Sequence, residues 1–312
     1  MVGSIKIAAL LTCFNRKAMT VSCLQKLMRA RDLYNEKNED KIVMSVFLTD
    51  DKCTDGTPDA VRECMKSEDL HIIEADGNAF WAGGMRLAWK KAIETDNYDF
   101  YLLLNDDTTV WENVFNELFI CHDYAICHYG KGGIYSGNTS WFKDKTKITF
   151  GGKVAGNGLF ARYYRLNPNG SPQKCDIVNA NILLVSHNVV ETIGIFPDCY
   201  IHGAADNDYG MRTNNAGLPV LITPGFCGSC DADNYNYYLE MKKLSSMTLM
   251  SRIHYFNFPV RSIHDSLAFS VRWRKRMVPI ILFLHCIQII SPFLYYQIFN
   301  CRKKSNSNVT VR

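Results

Sequence analysis

Tyr98-Asp-Phe-Tyr-Leu-Leu-Leu-Asn-Asp-Asp-Thr108 joins an apolar, aromatic run to an abrupt acidic stop. Phe100 to Leu104 reads as a buried parallel strand. The polar Asn105-Asp106-Asp107 then lies at the strand's C-terminal end, where open α/β sheets bind their ligands. Adjacent carboxylates are costly there unless positive charge joins them. A hard divalent cation carrying a diphosphate supplies that charge, which makes nucleotide-sugar chemistry the first expectation. The alternative is a polar strand-to-helix turn in which Asp107 or Thr108 caps the next helix.

The flanking sequence repeats the pattern. Ile5 to Cys13 is strand-like, and Val21, Leu24, Leu27 and Met28 follow at helical spacing. Residues 5 to 14 are short for a signal peptide and read as a first core strand. Ile42 to Leu48 is a second buried strand, ending in the polar turn 49–57, with Thr57-Pro58 opening a helix. Leu70 to Glu74 is a third strand, followed by Gly77 to Gly84 and a helix through Ile93. Such alternation predicts an α/β fold with a mainly parallel central sheet flanked by helices. From about residue 130 the chain changes to Gly-rich turns and short strands, at 130–137, 148–158 and 175–186. A helix over 187–193 and a strand over 217–223 follow. The expected organisation is a domain over 1–260, with a nucleotide-binding half (1–129) and an acceptor-binding half (130–260). A C-terminal helical tail occupies 261–312.

Composition sets bounds. The chain has 312 residues, 47% hydrophobic and 12% aromatic, enough for a large core. A net charge of +4 is too small to imply nucleic acid. The 12 cysteines show no disulfide-framework spacing. Cys227-Gly-Ser-Cys230 lacks a second pair or suitably spaced histidines, so free thiols in a reducing cytosol are the expectation for all of them.

Four motifs in order resemble the family-2 inverting glycosyltransferases of GT-A fold, most closely the bacterial rhamnosyltransferase-like group of polysaccharide and O-antigen assembly. The resemblance spans roughly residues 5 to 260. The first motif is Thr12-Cys-Phe14-Asn15-Arg16, which in that family faces the nucleotide. The second is Asp50-Asp51-Lys-Cys-Thr-Asp-Gly-Thr57. Asp51 there suits a carboxylate accepting the ring N–H of uracil or thymine, and Lys52 and Cys53 depart from the family's Gly and Ser. Helix capping and turn bonding are the simpler reading of these aspartates. The third combines Asn78 with Gly83, Gly84 and Arg86. Glycines permit close backbone approach to a donor, and Arg86 could pair with a phosphate or be a solvated helix residue. Asn105-Asp106-Asp107 corresponds to the family's Asp-x-Asp. It implies Mg2+ or Mn2+ held by Asp107, with Asp106 on the ribose or in support of the metal.

The fourth motif is Asp206-Asn-Asp208-Tyr-Gly-Met-Arg212. The resemblance implies that Asp206 is the base that deprotonates the acceptor hydroxyl, with Asp208 the second candidate. Asp208 and Arg212 stand at i, i+4, so an intrahelical ion pair is the simpler reading of both. Asn181, His202 and Arg212 are expected on the acceptor side.

The apolar stretch 278–299 is interrupted by Pro279, His285, Gln288, Ser291, Pro292 and Gln297. Arg272, Arg274, Lys275 and Arg276 precede it, and Arg302, Lys303 and Lys304 follow. It reads as an interfacial segment on an anionic membrane, a single span, or a core or oligomer contact. The resulting expectation is a cytoplasmic enzyme, peripheral on the inner face of the cell membrane. It moves a sugar from a dTDP- or UDP-linked donor to a saccharide acceptor, lipid-linked in the leading reading. Homo-oligomerisation is an open partner. Two alternatives stand. A sugar-1-phosphate nucleotidyltransferase would carry a glycine-rich loop after the first strand, and residues 12–20 contain no glycine. A non-catalytic saccharide- or partner-binding module has no need of Asp51, Asp106, Asp107 and Asp206 together.

Overall fold

The computed structural model describes residues 3–65, 67–156, 162–231 and 237–298. Gly158, Phe299 and the basic run at 302–304 lie outside the described residues. The chain forms two compact units, Met1–Ala232 and Asp233–Arg312, so the domain end expected at 260 falls inside the second unit.

The first unit's strands are β1 (Ser4–Cys13), β2 (Lys41–Asp50), β3 (Leu70–Glu74), β4 (Phe100–Leu104), β5 (Thr109–Val110), β6 (Ile134–Ser140), β7 (Ile148–Phe150), β8 (Lys153–Ala155), β9 (Tyr163–Arg165), β10 (Gln173–Lys174), β11 (Ile182–Ser186) and β12 (Val220–Ser229). Its helices are α1 (Lys17–Lys37), α2 (Thr57–Cys64), α3 (Phe80–Thr95), α4 (Val114–Tyr129), α5 (His187–Ile193) and α6 (Ala205–Asn215). The main sheet runs β10-β12-β6-β11-β4-β1-β2-β3. The stretch β3-β2-β1-β4 is parallel throughout, as expected. The other half is mixed, because β11 runs antiparallel to both β4 and β6, while β6 and β12 are parallel.

All five residues of β4 are buried because helices cover both faces of the sheet. Phe100, Leu102 and Leu104 join Ile7, Ala9 and Leu11 in a core filled by Leu24 and Leu27 of α1 and by Phe115 and Leu118 of α4. On the opposite face Tyr101 meets Trp89 of α3 at 5.8 Å between ring centroids. Trp89 also contacts Phe196 at 5.5 Å and Tyr209 of α6 at 5.4 Å.

The strand directions decide what reaches the acidic stop. Because β11 is antiparallel to β4, Ile182 pairs with Leu104, and β11 begins at the edge where β4 ends. Because β12 runs parallel to β4 through β6 and β11, its far end, Ser229 and Cys230, arrives at the same edge.

The second unit contains α7 (Tyr237–Ser245), α8 (Leu249–Asn257), α9 (His264–Trp273) and α10 (Val278–Ile290). Met241, Leu244 and Phe256 form its small core, with Ile289, Tyr295 and Tyr296 packed against it. The apolar stretch is broken. Arg252 donates to the carbonyls of Ile289 and Ile290 at 2.6 and 2.8 Å, capping the last turn of α10, and a new helix covers 292–298. No described helix is long and apolar enough to cross a membrane, which corrects the single-span alternative. Two short helices separated at Ser291-Pro292 replace one long one.

Candidate active site

The acidic stop sits at the carboxyl edge of the sheet, closed around a guanidinium. Arg16, which precedes α1, donates through Nη1 to Asp106 Oδ1 and to Asp107 Oδ2, both at 3.0 Å. Thr20, one helical turn on, donates Oγ1–H to Asp106 Oδ2 at 3.0 Å. Asp106 therefore has both oxygens engaged and is 4% exposed. Burial raises its carboxyl above the ordinary range, with Arg16 pulling it back and the charge of Asp107 adding to the rise. Asp107 is more open, its side chain 35% exposed. Its Oδ1 faces Cys230 Sγ at 3.7 Å, and burial and Asp107 push that thiol up to about 12. Asn105 supports the turn: Trp81 Nε1–H donates to its Oδ1 at 2.8 Å, and its own N–H donates to Asn181 O at 3.1 Å.

The segment 179–181 carries the edge onward to α6. Ala180 N–H donates to Asp206 Oδ2 at 3.2 Å, and Asn207 N–H to Asp206 Oδ1 at 2.8 Å. Burial raises the Asp206 carboxyl, opposed by those hydrogen bonds, by one from Asn179 and by the charge of Lys153. Asp206 is half-buried, whereas Asp208 is fully enclosed at 0% exposure. Asn181 is buried and donates to Cys230 Sγ at 3.5 Å. Asn105, Asp106, Asp107, Asn181, Asp206 and Cys230 are thus brought together.

The nucleotide-side motifs form an adjoining wall. Asp51 is buried, and its two oxygens accept the N–H groups of Ala79 and Phe80 at 3.1 and 2.9 Å, so it caps the start of α3. Asp50 Oδ1 accepts Cys53 N–H at 2.8 Å, and Asn15 Oδ1 accepts Thr54 N–H at 2.7 Å, binding the turn after β2 to the one after β1. Phe14 is 57% exposed at this edge, and Asn78, before α3, is exposed as well. The non-glycine residues at positive φ among those described are Asn15, Lys52, Phe80 and Ala204. Asn15, Lys52 and Ala204 lie in loops and Phe80 opens α3, and such strain clusters at functional sites.

Several sequence-selected residues do structural work. A Cβ on Gly84 would collide with the Thr12 side chain, and Thr49 donates to Gly84 O at 2.8 Å. Gly84 thus lets α3 pack on β1. At Gly83 an added Cβ meets only ordinary contacts. Arg86 donates to Pro197 O and Tyr200 O at 3.1 and 2.7 Å and lies 3.2 Å from Asp198, anchoring α3 to the loop 197–200. Arg212 donates to the carbonyls of Ile193 and Ile195, at the end of α5. His202 is half-buried in the loop before α6, next to Ile201, whose carbonyl accepts Ala82 N–H at 3.2 Å. Thr20 escaped the sequence reading, and Cys230 was read only as a free thiol. The i, i+4 spacing of Arg16 and Thr20 was the available signal for the first, while Cys230 is joined to Asp107 only by the path of β12.

No protein-family model matches the chain, and no curated protein does. Solved structures resemble it. The mannosyltransferase PcManGT from Pyrobaculum calidifontis in complex with GDP-Man and Mn2+ is 14% identical, covering 96% of this chain and 79% of that one, with a TM-score of 0.49. S. aureus TarS 1-349 is 12% identical over 92% of this chain and 81% of that one, with a TM-score of 0.50. GalNAc-T7 with UDP, GalNAc and Mn2+ is 12% identical over 72% of this chain and 42% of that one, with a TM-score of 0.51. At such identities the likeness concerns architecture, and the architecture is the GT-A fold.

Proposed function

We propose that the protein is a metal-dependent, inverting glycosyltransferase. It transfers a sugar from a dTDP- or UDP-linked donor to a lipid-linked saccharide acceptor in bacterial surface-polysaccharide synthesis. The observation that carries this reading is the acidic cluster at the carboxyl edge of a GT-A sheet. In it, half-exposed Asp107 and half-buried Asp206 are connected through Asn105, Ala180 and Asn181. The glycine-free segment 12–20 disfavours a nucleotidyltransferase, and a passive binding module has no need of Asp51, Asp106, Asp107 and Asp206 together.

The donor set fits a hard cation: Asp107 offers carboxylate oxygen, and Mg2+ is commonly held by one or two carboxylates plus substrate phosphates. Asp106, fixed by Arg16 and Thr20, shares the Arg16 guanidinium with Asp107. When bound, Mg2+ or Mn2+ would stabilise the charge of the departing diphosphate. Exposed Phe14 supplies a face for the base, and the Asp50–Asp51 turn shapes its wall. Asp206 receives the acceptor hydroxyl's proton as that oxygen attacks the anomeric carbon. Its raised carboxyl is closer to the working range of a general base than an ordinary aspartate. Full enclosure of Asp208 favours Asp206 in that role.

The exposed Leu282, Phe283, Phe293 and Leu294, near Arg272, Arg274, Lys275 and Arg276 in sequence, support contact with an anionic membrane surface.

The test is a panel of nucleotide sugars, read by released nucleoside diphosphate, with single-turnover transfer by Asp206→Asn and Asp208→Asn. Asp206→Asn should lose about 10²–10⁴-fold in transfer while retaining donor binding. Wild-type transfer should rise with pH through the raised Asp206 titration, because only the carboxylate accepts a proton. Near-normal transfer by Asp206→Asn would remove it as the base, and no turnover of any donor would remove the reading.

A further inference from the structure

We propose that Cys13, Cys53 and Asp50 form a site for a thiophilic divalent cation of the zinc class, distinct from the hard-cation site at Asp107. Cys13 is the last residue of β1 and Asp50 the last of β2, and the two are register partners. Cys53 returns to them from the turn after β2, which the positive φ of Lys52 (65°) and the Asp50 bond to Cys53 N–H hold in place. The sulfurs lie 3.7 Å apart, and a ligand atom from each of the three residues falls within 4.8 Å of the others.

That spacing is informative. Zinc–sulfur bonds of about 2.3 Å in a tetrahedral site put two thiolate sulfurs about 3.8 Å apart. The pair therefore already has the separation of two ligands on one ion. The surrounding bonds suit the same arrangement. Asn15 N–H donates to Cys53 Sγ at 3.2 Å, the kind of outer hydrogen bond that orients a metal thiolate. Asp50 gives Oδ1 to Cys53 N–H, leaving Oδ2 for the cation. Two thiolates and one carboxylate provide three protein ligands, with a fourth position for water. Both cysteines are free.

An occupied site would cross-link the end of β1 to the turn after β2, which Asn15 and Thr54 already join by a hydrogen bond. Both loops belong to the edge that carries Phe14 and Asp51. The site would thus fix that wall independently of any donor or of sugar transfer.

The experiment uses the full, reduced chain and the metal alone. Zn2+ stoichiometry is measured by calorimetry and elemental analysis, and Co2+ is substituted to read thiolate-to-metal charge-transfer absorption. One equivalent of Zn2+ should bind, and Co2+ should give a thiolate band. Loss of an outer partner alone costs about 10–100-fold in metal affinity. Cys53→Ser, at a half-buried position, should therefore weaken Zn2+ by at least about tenfold and, with only the Cys13 thiolate left, cut the band to about half its intensity per bound Co2+. Asp50→Asn should weaken Zn2+ while keeping the band. Cys127→Ser, an exposed cysteine outside the cluster, should change neither. Circular dichroism verifies that each variant is folded, and an unfolded Cys53→Ser is replaced by Cys53→Ala. Absence of a thiolate band, a band of undiminished intensity in the folded position-53 variant, or a Cys13–Cys53 disulfide found by mass spectrometry in place of metal would each overturn the proposal.

Discussion

Replacing Arg16 with methionine tests whether the acidic stop is held by charge. The substitution keeps an unbranched side chain but removes the guanidinium, 3.0 Å from both Asp106 and Asp107. Stripping one partner from a fully buried ion pair costs about 3–5 kcal/mol, and exposed pairs contribute about 0–1 kcal/mol. Here the Asp106 side chain is 5% exposed, but that of Arg16 is 49% exposed, so water screens the contact. The Asp106 contact is then worth about 2–3 kcal/mol and the Asp107 contact at most about 1 kcal/mol, by interpolation between those limits. A loss of about 2–4 kcal/mol at neutral pH follows. The pH dependence has a definite sign. The folded-state Asp106 carboxyl lies above its ordinary value because of burial, with Arg16 opposing the rise. The folded protein therefore binds a proton that the unfolded chain releases, and stability falls as pH rises through that interval. Without Arg16 the interval widens upward, so the deficit of Arg16→Met should shrink on acidification from pH 7 to about pH 5. Urea unfolding at the two pH values measures both quantities, with and without Mn2+. A divalent cation should stabilise the variant more than the native chain, because it restores charge between the carboxylates. A deficit below about 0.5 kcal/mol, the scale of an ordinary surface change, or one that grows on acidification, would refute the reasoning.

Asp107→Asn should leave the unfolding midpoint near native and weaken Mn2+-dependent UDP binding at least about tenfold, each tenfold being 1.4 kcal/mol; unchanged metal dependence in calorimetry would count against Asp107 as the ligand. Asp51→Ala removes the carboxylate that caps the N–H groups of Ala79 and Phe80, and should cost about 1–2 kcal/mol in urea unfolding. An unchanged midpoint would mean that α3 starts without it. Trp89→Ala empties the space between Tyr101, Phe196 and Tyr209 and should cost about 3–5 kcal/mol, and a loss under about 1 kcal/mol would show that these rings close the cavity by themselves.

The parallel half of the sheet was legible because it alternates with helices. Each of its strands is a short apolar run followed by a polar turn, and a parallel pair needs a crossover. The direction of β11 was not legible. Ile182 to Val185 is apolar on both faces, so its residues read the same in either orientation. Yet that direction brings Asn181 beside Asn105, and the expectation that Asn181 belongs with the acceptor side rested on likeness alone. The tail is a different case. Length left a span open as an alternative to an interfacial segment, but α10 ends at Ile290 with Arg252 on its last carbonyls.

At the site, the residues singled out from the sequence also make structural contacts. Asp51, Arg86 and Gly84 all lie on the wall the motifs indicated, and each makes a structural contact there: a helix cap, a loop anchor and a close packing point. This follows from the chemistry of an exposed sheet edge. Loops at that edge must satisfy the unpaired N–H and C=O groups of strand and helix ends, and the residues best suited are the same carboxylates and arginines that bind phosphates. A carboxylate capping a helix start also retains lone pairs for a further donor, so capping by Asp51 and base recognition by Asp51 are compatible. The distinction lies in access. Asp107 and Asp206 keep partial exposure while their neighbours Asp106 and Asp208 are enclosed. In each pair one aspartate is enclosed, and the open one is the member to which the proposed reaction assigns a role. That pairing of a buried and an open carboxylate is a property of three-dimensional packing, which two aspartates spelled side by side or two apart do not disclose.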